Sequence, residues 1–211
     1  MAKNKSDVLL LFSGGLDSTG AFWKLMQDKR NIHVYHLHLN NKEHRNEAEA
    51  IAVKSIVEYM KQFGDFEYSE STHIYPTYRN SFIWDSDITS FMAGTVCQCL
   101  PWIKEIALGR TASDDEEVRS MTERRERGNK ILEALCDARK IYPVMDLTKK
   151  QIWDMLPQNL RTLIWSCRTP VYKNNDILPC GKCITCESMK NKKIIHPRIQ
   201  TYHNQSSQPS T

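Results

Sequence analysis

Near its start the chain changes character within a few residues. An unbroken apolar run, Val8-Leu9-Leu10-Leu11-Phe12, gives way to Ser13-Gly14-Gly15-Leu16-Asp17-Ser18-Thr19. A helical pattern follows, with Phe22, Leu25 and Met26 on one face. A short continuous apolar run bounded by a glycine turn reads as a strand buried on both faces, which is the strand type of parallel sheets. The rest of the chain keeps alternating in the same way. Further strands are expected at Ile32–Leu39, from Phe66, at Glu105–Gly109 and at Ile141–Met145. Helices are expected at Ser18–Asp28, Glu43–Phe63, Asp87–Trp102 and Arg119–Arg139. Strand–helix alternation predicts an α/β, Rossmann-like fold with a parallel sheet covered on both faces. The 211 residues suffice for one core of this kind.

In such a sheet, ligands bind at the carboxyl ends of the strands. Gly14 and Gly15 let the backbone approach an anion closely, and the first amides of the following helix point at it. Ser13, Ser18 and Thr19 add hydroxyls. Asp17 suits a phosphate site once Mg²⁺ is present to join carboxylate and phosphate. The loop lacks the Lys-Ser/Thr ending of the common phosphate loop and lacks the G-x-G-x-x-G pattern. As plain structure, Gly-Gly would be a tight turn and Asp-Ser a helix cap.

After Leu147 the alternation stops. Short helices are expected, then a segment in which Cys167, Cys180, Cys183 and Cys186 have the spacing C-x₁₂-C-x₂-C-x₂-C. Four thiolates suit tetrahedral Zn²⁺ with no open position, a structural site. The chain has seven cysteines and its N-terminus runs directly into a strand. An odd count with no secretory signal fits reduced thiols and a cytoplasmic location. Cys97 and Cys99, in an apolar helical stretch, are expected to be buried packing. The net charge of +4 is too small to imply nucleic acid by itself. No apolar run has the length of a membrane span. The expected division is an α/β domain over 1–147, a helical and zinc-binding region over 148–195, and a disordered polar tail over 196–211.

"SGGLDS" resembles the pyrophosphate loop, S-G-G-x-D-S, of the ATP pyrophosphatase superfamily. With the Cys set, the chain to about Lys193 resembles the 7-cyano-7-deazaguanine synthase family. "NKEHRNEAEAIA" is similar to that family's G-Q-x-H-x-x-E stretch, matching at His44 and Glu47. "LGRTASDD" is similar to its T-G-x-x-x-x-D, and "YPVMDLTKKQI" to its P-L-x-x-x-x-K, which places Lys149 on the family lysine. The resemblance implies ATP, Mg²⁺ and Zn²⁺ as cofactors. It implies Phe12, Ser13, Gly14, Gly15, Leu16, Asp17, Ser18, Thr19, Gly109 and Arg110 around the nucleotide, with Arg45 as a further source of positive charge. Asp17, Lys149 and His44 are then the catalytic candidates, His44 as base.

The implied reaction turns 7-carboxy-7-deazaguanine and ammonia into 7-cyano-7-deazaguanine through an acyl-adenylate and an amide. Its partners are those small molecules, with a homodimer as the candidate assembly and with neither membrane nor direct nucleic-acid binding. Two departures stand out. Leu16 replaces the family glutamine, and "FIWDSDITSF" replaces its x-P-G-R-N motif. Asp85 and Asp87 are therefore the candidates to read the deazaguanine edge, with helix capping as the plain alternative. Rival functions are an enzyme that stops at the amide, an ATP-dependent RNA sulfur transferase, and a non-catalytic nucleotide-binding module.

Overall fold

The computed structural model describes residues 6–41, 43–75, 84–111, 119–174, 176–197 and 199–200. Asp114, Asp115 and the tail beyond 200 lie outside them. Five parallel strands form the central sheet in the order β3-β2-β1-β4-β5: β1 Val8–Leu11, β2 Ile32–Asn40, β3 Glu67–Ile74, β4 Glu105–Ala107 and β5 Arg139–Ile141. The expected α/β class is the observed one. Side chains of β1 alternate between two cores. Val8, Leu10 and Phe12 meet α1 (Leu16–Gln27), α2 (Asn46–Met60) and α5 (Lys149–Met155). Leu9 and Leu11 meet α3 (Asp85–Cys99) and α4 (Arg119–Glu133). Burial on both faces is why the β1 sequence is uniformly apolar.

The strand order reverses between β1 and β4, so a crevice opens beyond their carboxyl ends. Three expectations shift. The fifth strand ends at Ile141 because Pro143 has no N–H for the ladder, and 143–146 is a turn. Helix α3 is less buried than expected: Ala93, Gly94 and Cys97 are buried, whereas Phe91 and Cys99 are exposed. The region after Leu147 contains α5, α6 (Gln158–Arg161), α7 (Ile184–Asn191) and also a small antiparallel sheet. That sheet joins β6 (Val171–Lys173), β7 (Asp176–Leu178) and β8 (Ile199–Gln200).

Strand β8 corrects the expected start of the tail at 196. His196 packs edge-on against Trp165, with ring centroids 4.8 Å apart, and Ile199 pairs with Ile177. These contacts bind the chain to the Cys-rich region through residue 200. Among the described residues, no helix is long and apolar enough to cross a membrane.

Candidate active site

The Ser13–Ser18 turn is held from inside. Phe12 N–H donates to the Tyr35 carbonyl (2.9 Å), and His36 Nδ1 donates to the Phe12 carbonyl (2.8 Å). Burial pushes the His36 pKa down to about 4, so the ring is neutral at pH 7 and anchors the chain just ahead of the loop. Gly14 takes φ +72, a left-handed conformation that favours glycine. Ser18 Oγ donates to the Gly15 carbonyl (3.1 Å) and lies 3.1 Å from Ser13 Oγ. Helix α1 begins at Leu16 with Gly15 as its cap; Gly15 has no side chain to cap it, and the Leu16 N–H donates to Ser166 Oγ (3.1 Å). A helix start presents backbone amides and the positive end of the helix dipole to an anion.

A cavity of about 380 Å³ opens at this helix start. Of the residues named above around a nucleotide, Phe12, Ser13, Gly15, Leu16, Asp17, Ser18 and Gly109 line it. Gly109 is there for steric reasons: a Cβ would lie 2.4 Å from the Ser18 nitrogen. Lys149, the first residue of α5, holds its Nζ 3.5 Å from Asp17 Oδ2. A Thr148–Gln151 capping box fixes that helix start. One oxygen-donor carboxylate among neutral hydroxyls, at an anion-accepting helix end, is a donor set that suits Mg²⁺ together with substrate phosphates.

Several expected site residues lie elsewhere. Thr19 is fully buried beneath the loop and does not line the cavity. Gly14 makes the turn, and its carbonyl accepts from Trp165 N–H (3.0 Å). Arg110 faces a second cavity and stacks over Tyr142 at 5.3 Å. His44 is exposed, with φ +51, and its carbonyl accepts from the Tyr172 hydroxyl (2.6 Å). A solvated ring outside the cavity lining is poorly placed as a base. Asp87 accepts from Arg127 Nε (2.8 Å) and also lies outside this cavity.

Asp85 does line the cavity, but its carboxylate is already bound by Arg45, by the Tyr75 hydroxyl and by Asn41 Nδ2. Arg45 is shared among Asp85, Glu43 (Nε–Oε2 2.8 Å) and Glu49 (Nη1–Oε1 2.9 Å). Three carboxylates neutralise this guanidinium, so it is not a spare cation for phosphate. Glu49 was not anticipated. The family motif matched Glu47, which is exposed, whereas Glu49 is buried two residues on and lines the cavity. Burial pushes its pKa up to about 7, and Arg45 pulls it back only in part. A carboxyl that titrates near neutrality inside a cavity is the right type of group for proton transfer.

The Cys-rich region forms the outer wall of the cavity. Trp165, Ser166, Arg168 and Thr185 line it, and Ser166 Oγ accepts from Leu16 N–H (3.1 Å). Cys167, Cys180, Cys183 and Cys186 bring their sulfurs within 4.8 Å of one another, with the 180–186 and 167–183 pairs at 4.0 Å. Sulfurs about 2.3 Å from a common tetrahedral ion lie about 3.8 Å apart, so the set fits a metal of that geometry. Cys180 N–H donates to Cys167 Sγ (3.3 Å), and Cys183 N–H and the Thr169 hydroxyl donate to Cys180 Sγ (3.2 and 3.1 Å). Burial raises Cys167 to about 11. At Cys180 these hydrogen bonds outweigh the upward push of burial and lower the thiol to about 6. Sulfurs that accept hydrogen bonds are prepared to be thiolates.

The remaining cysteines are remote from the loop. Asp85, at the start of α3, reaches the cavity, and Cys97 follows twelve residues later. That separation is about 18 Å along a helix. Cys136 lies next to Cys97, and burial together with Cys136 raises the Cys97 thiol to about 12. No cysteine lines the loop cavity.

Comparison with known proteins gives one family match. Residues 3–80 match the model described as thiamine biosynthesis protein (ThiI), a span of the first three strands and the loop. No curated protein matches the chain. Among solved structures, the chain is similar to NMN synthetase from Francisella tularensis, with 11% identity and a TM-score of 0.46, over 79% of this chain and 68% of that one.

Proposed function

We propose that this chain is an adenylating enzyme of the ATP pyrophosphatase superfamily and that it converts 7-carboxy-7-deazaguanine and ammonia to 7-cyano-7-deazaguanine. The superfamily is supported by the family match over 3–80, which spans the S-G-G-x-D-S loop. The observation that carries the reading is the loop itself. The start of α1, two hydroxyls and Asp17 converge on one cavity at the strand-order reversal, and Lys149, which does not itself line the cavity, holds its Nζ 3.5 Å from Asp17 Oδ2. The narrower substrate rests on the resemblance to the synthase family, including the Cys set.

A carboxylate is a poor electrophile because its leaving group is oxide. In the proposed first step a carboxylate oxygen attacks the α-phosphorus of ATP. The bond from that phosphorus to the bridging oxygen breaks, and pyrophosphate leaves. Negative charge develops on the phosphates, where the α1 amides and Lys149 stabilise it. Asp17 would hold Mg²⁺, which supplies charge neutralisation there. Ammonia then attacks the acyl carbon and AMP departs, leaving the amide. Glu49, in place of His44, is the side chain on the cavity wall suited to take the proton lost from nitrogen. A second adenylation, on the amide oxygen, releases another pyrophosphate, and loss of AMP together with both protons from nitrogen gives the nitrile.

Zn²⁺ held by Cys167, Cys180, Cys183 and Cys186 would be structural, because four thiolates leave no open position. The setting would be deazapurine synthesis in the cytoplasm, for queuosine-type or DNA modification. The thiamine-biosynthesis match also favours sulfur transfer as a second reading, but no sulfur faces the cavity to carry a transferable atom.

Mass analysis tests the choice. With 7-carboxy-7-deazaguanine, ATP and ammonium, the nitrile should form with two pyrophosphates released per product. The amide with one pyrophosphate would select the shorter reaction, and no ATP cleavage with this substrate would overturn the proposal.

A further inference from the structure

A second cavity, of about 590 Å³, adjoins the loop cavity. It lies between α3, α4 and the carboxyl ends of β4 and β5. The two cavities share Leu11, Leu108 and Gly109, which stand at the ends of β1 and β4 where the strand order reverses, and Thr89 of α3. Its size is within the range of small-molecule sites. The interior is apolar, formed by Leu11, Ala93, Ile106, Leu108 and Leu132. Among the described residues, the charged lining is Arg110, Arg124, Arg125 and Lys140 with Glu126.

We infer that this second cavity is the acceptor site and that it takes a planar heteroaromatic carboxylate, with Lys140 as the partner of the carboxylate. The adenylation reading gives the ligand its role, but the pocket stands on its own lining. Asp85 and Asp87 do not serve this purpose, since Arg45, Tyr75 and Asn41 bind the first and Arg127 the second. Apolar walls beside the Tyr142 ring suit a flat ring system, which gains from stacking and from leaving water. Two guanidinium groups are oriented by aromatic rings, Arg110 over Tyr142 at 5.3 Å and Arg124 over Trp84 at 4.3 Å.

Lys140 sits on β5 with its ammonium donating to the neutral amide oxygen of Asn129. Burial lowers its pKa below the ordinary lysine value, with Glu133 and Cys136 opposing the shift, so a carboxylate placed beside it would stabilise its charge. In α3, the Ser86 hydroxyl lines the same cavity and is buried, with no hydrogen-bond partner among the described residues. A group left in this way costs stability unless a ligand supplies a partner. Ligand bound here is adjacent to the loop cavity across Gly109, which is where an acceptor for adenylation is needed.

Calorimetric titration of the full chain tests the inference with three probes: 7-carboxy-7-deazaguanine, indole-3-carboxylate and α,β-methylene-ATP. Lys140→Met should weaken binding of both carboxylates by about tenfold or more, the cost of removing a charged partner, and Lys140→Arg should restore most of it. Ser86→Leu, which fills the cavity and leaves Lys140 intact, should abolish carboxylate binding. The affinity for α,β-methylene-ATP should stay the same in all three variants. If Lys140→Met does not fold, Ser86→Leu decides. Unchanged carboxylate binding in the folded variants, or no binding of either carboxylate to the parent protein, overturns the inference. If the parent binds carboxylates through Lys140 but does not bind the ATP analogue, the adenylation reading falls and the pocket remains.

Discussion

Two carboxylates on the same cavity are prepared for different work. Asp17 lies in the first turn of α1, with its Oδ2 3.5 Å from Lys149 Nζ. As Asp17 is the proposed metal ligand, Asp17→Ala should reduce pyrophosphate release by at least about a hundredfold, with little change in melting temperature. Release at the parent rate would remove it from the site. Glu49 is buried, and burial raises its pKa from the ordinary carboxyl range to about 7. The folded protein then holds a proton between about pH 4.5 and 7 that the unfolded chain has released. This contribution to stability is full below that window and is lost as pH rises through 7. Glu49→Gln should therefore raise the melting temperature at pH 8 and change it little at pH 5, while lowering turnover. Equal shifts at both pH values would show that Glu49 titrates as an ordinary carboxyl.

The approach of β4 to α1 is set by a missing side chain. Gly109 follows β4, and a Cβ there would meet backbone atoms of Asp17 and Ser18 at 2.4 to 2.7 Å. Backbone cannot rotate aside as a side chain can, so Gly109→Ala must separate the strand end from the loop. The expected result is a clear fall in melting temperature together with loss of ATP affinity, read by thermal denaturation and calorimetry. Gly181 is the contrast. It takes φ +72 in the Cys turn, with nothing within 4 Å of a Cβ. Gly181→Ala should cost only the left-handed backbone penalty, about 1–2 kcal/mol, and leave ATP affinity unchanged. Similar effects of the two substitutions would show that the Gly109 contact is not what positions the loop.

Across the whole molecule, the Cys-rich region and the Ser13–Ser18 loop are joined as one unit. Trp165 N–H donates to the Gly14 carbonyl, and Leu16 N–H donates to Ser166. Trp165, Cys167 and Cys186 pack in one cluster with Ala48 and Ala52 of α2. Metal binding at four thiolates contributes on the order of 10 kcal/mol, as much as the net stability of a typical domain. Elemental analysis should find one zinc per chain. Cys183→Ser should lose the metal, lower the melting temperature by ten degrees or more, and speed hydrogen exchange at residues 13–18. A metal-free protein of parental stability would refute the metal site. Loss of metal with unchanged exchange in the loop would refute the coupling.

What the sequence alone determined is what neighbouring residues encode. The uniform apolar run at Val8–Phe12, the glycine turn after it and the alternation of strand and helix specify a parallel sheet with an anion-accepting loop. The C-x₂-C-x₂-C spacing brings three sulfurs together through local turns, and Cys167 was legible as the fourth. Partners distant in sequence were decided only by tertiary structure. Arg45 is used up by Asp85, forty residues away, and Leu16 is held by Ser166, 150 residues away. Helical phase, invisible to a motif match, buries Glu49 in the cavity and exposes Glu47, while His44 is exposed in the turn ahead of the helix. The second cavity exists only where α3 and α4 close over the ends of β4 and β5. Ionisation and access depend on what surrounds a group from every side, and folding brings those surroundings together from separate parts of the chain.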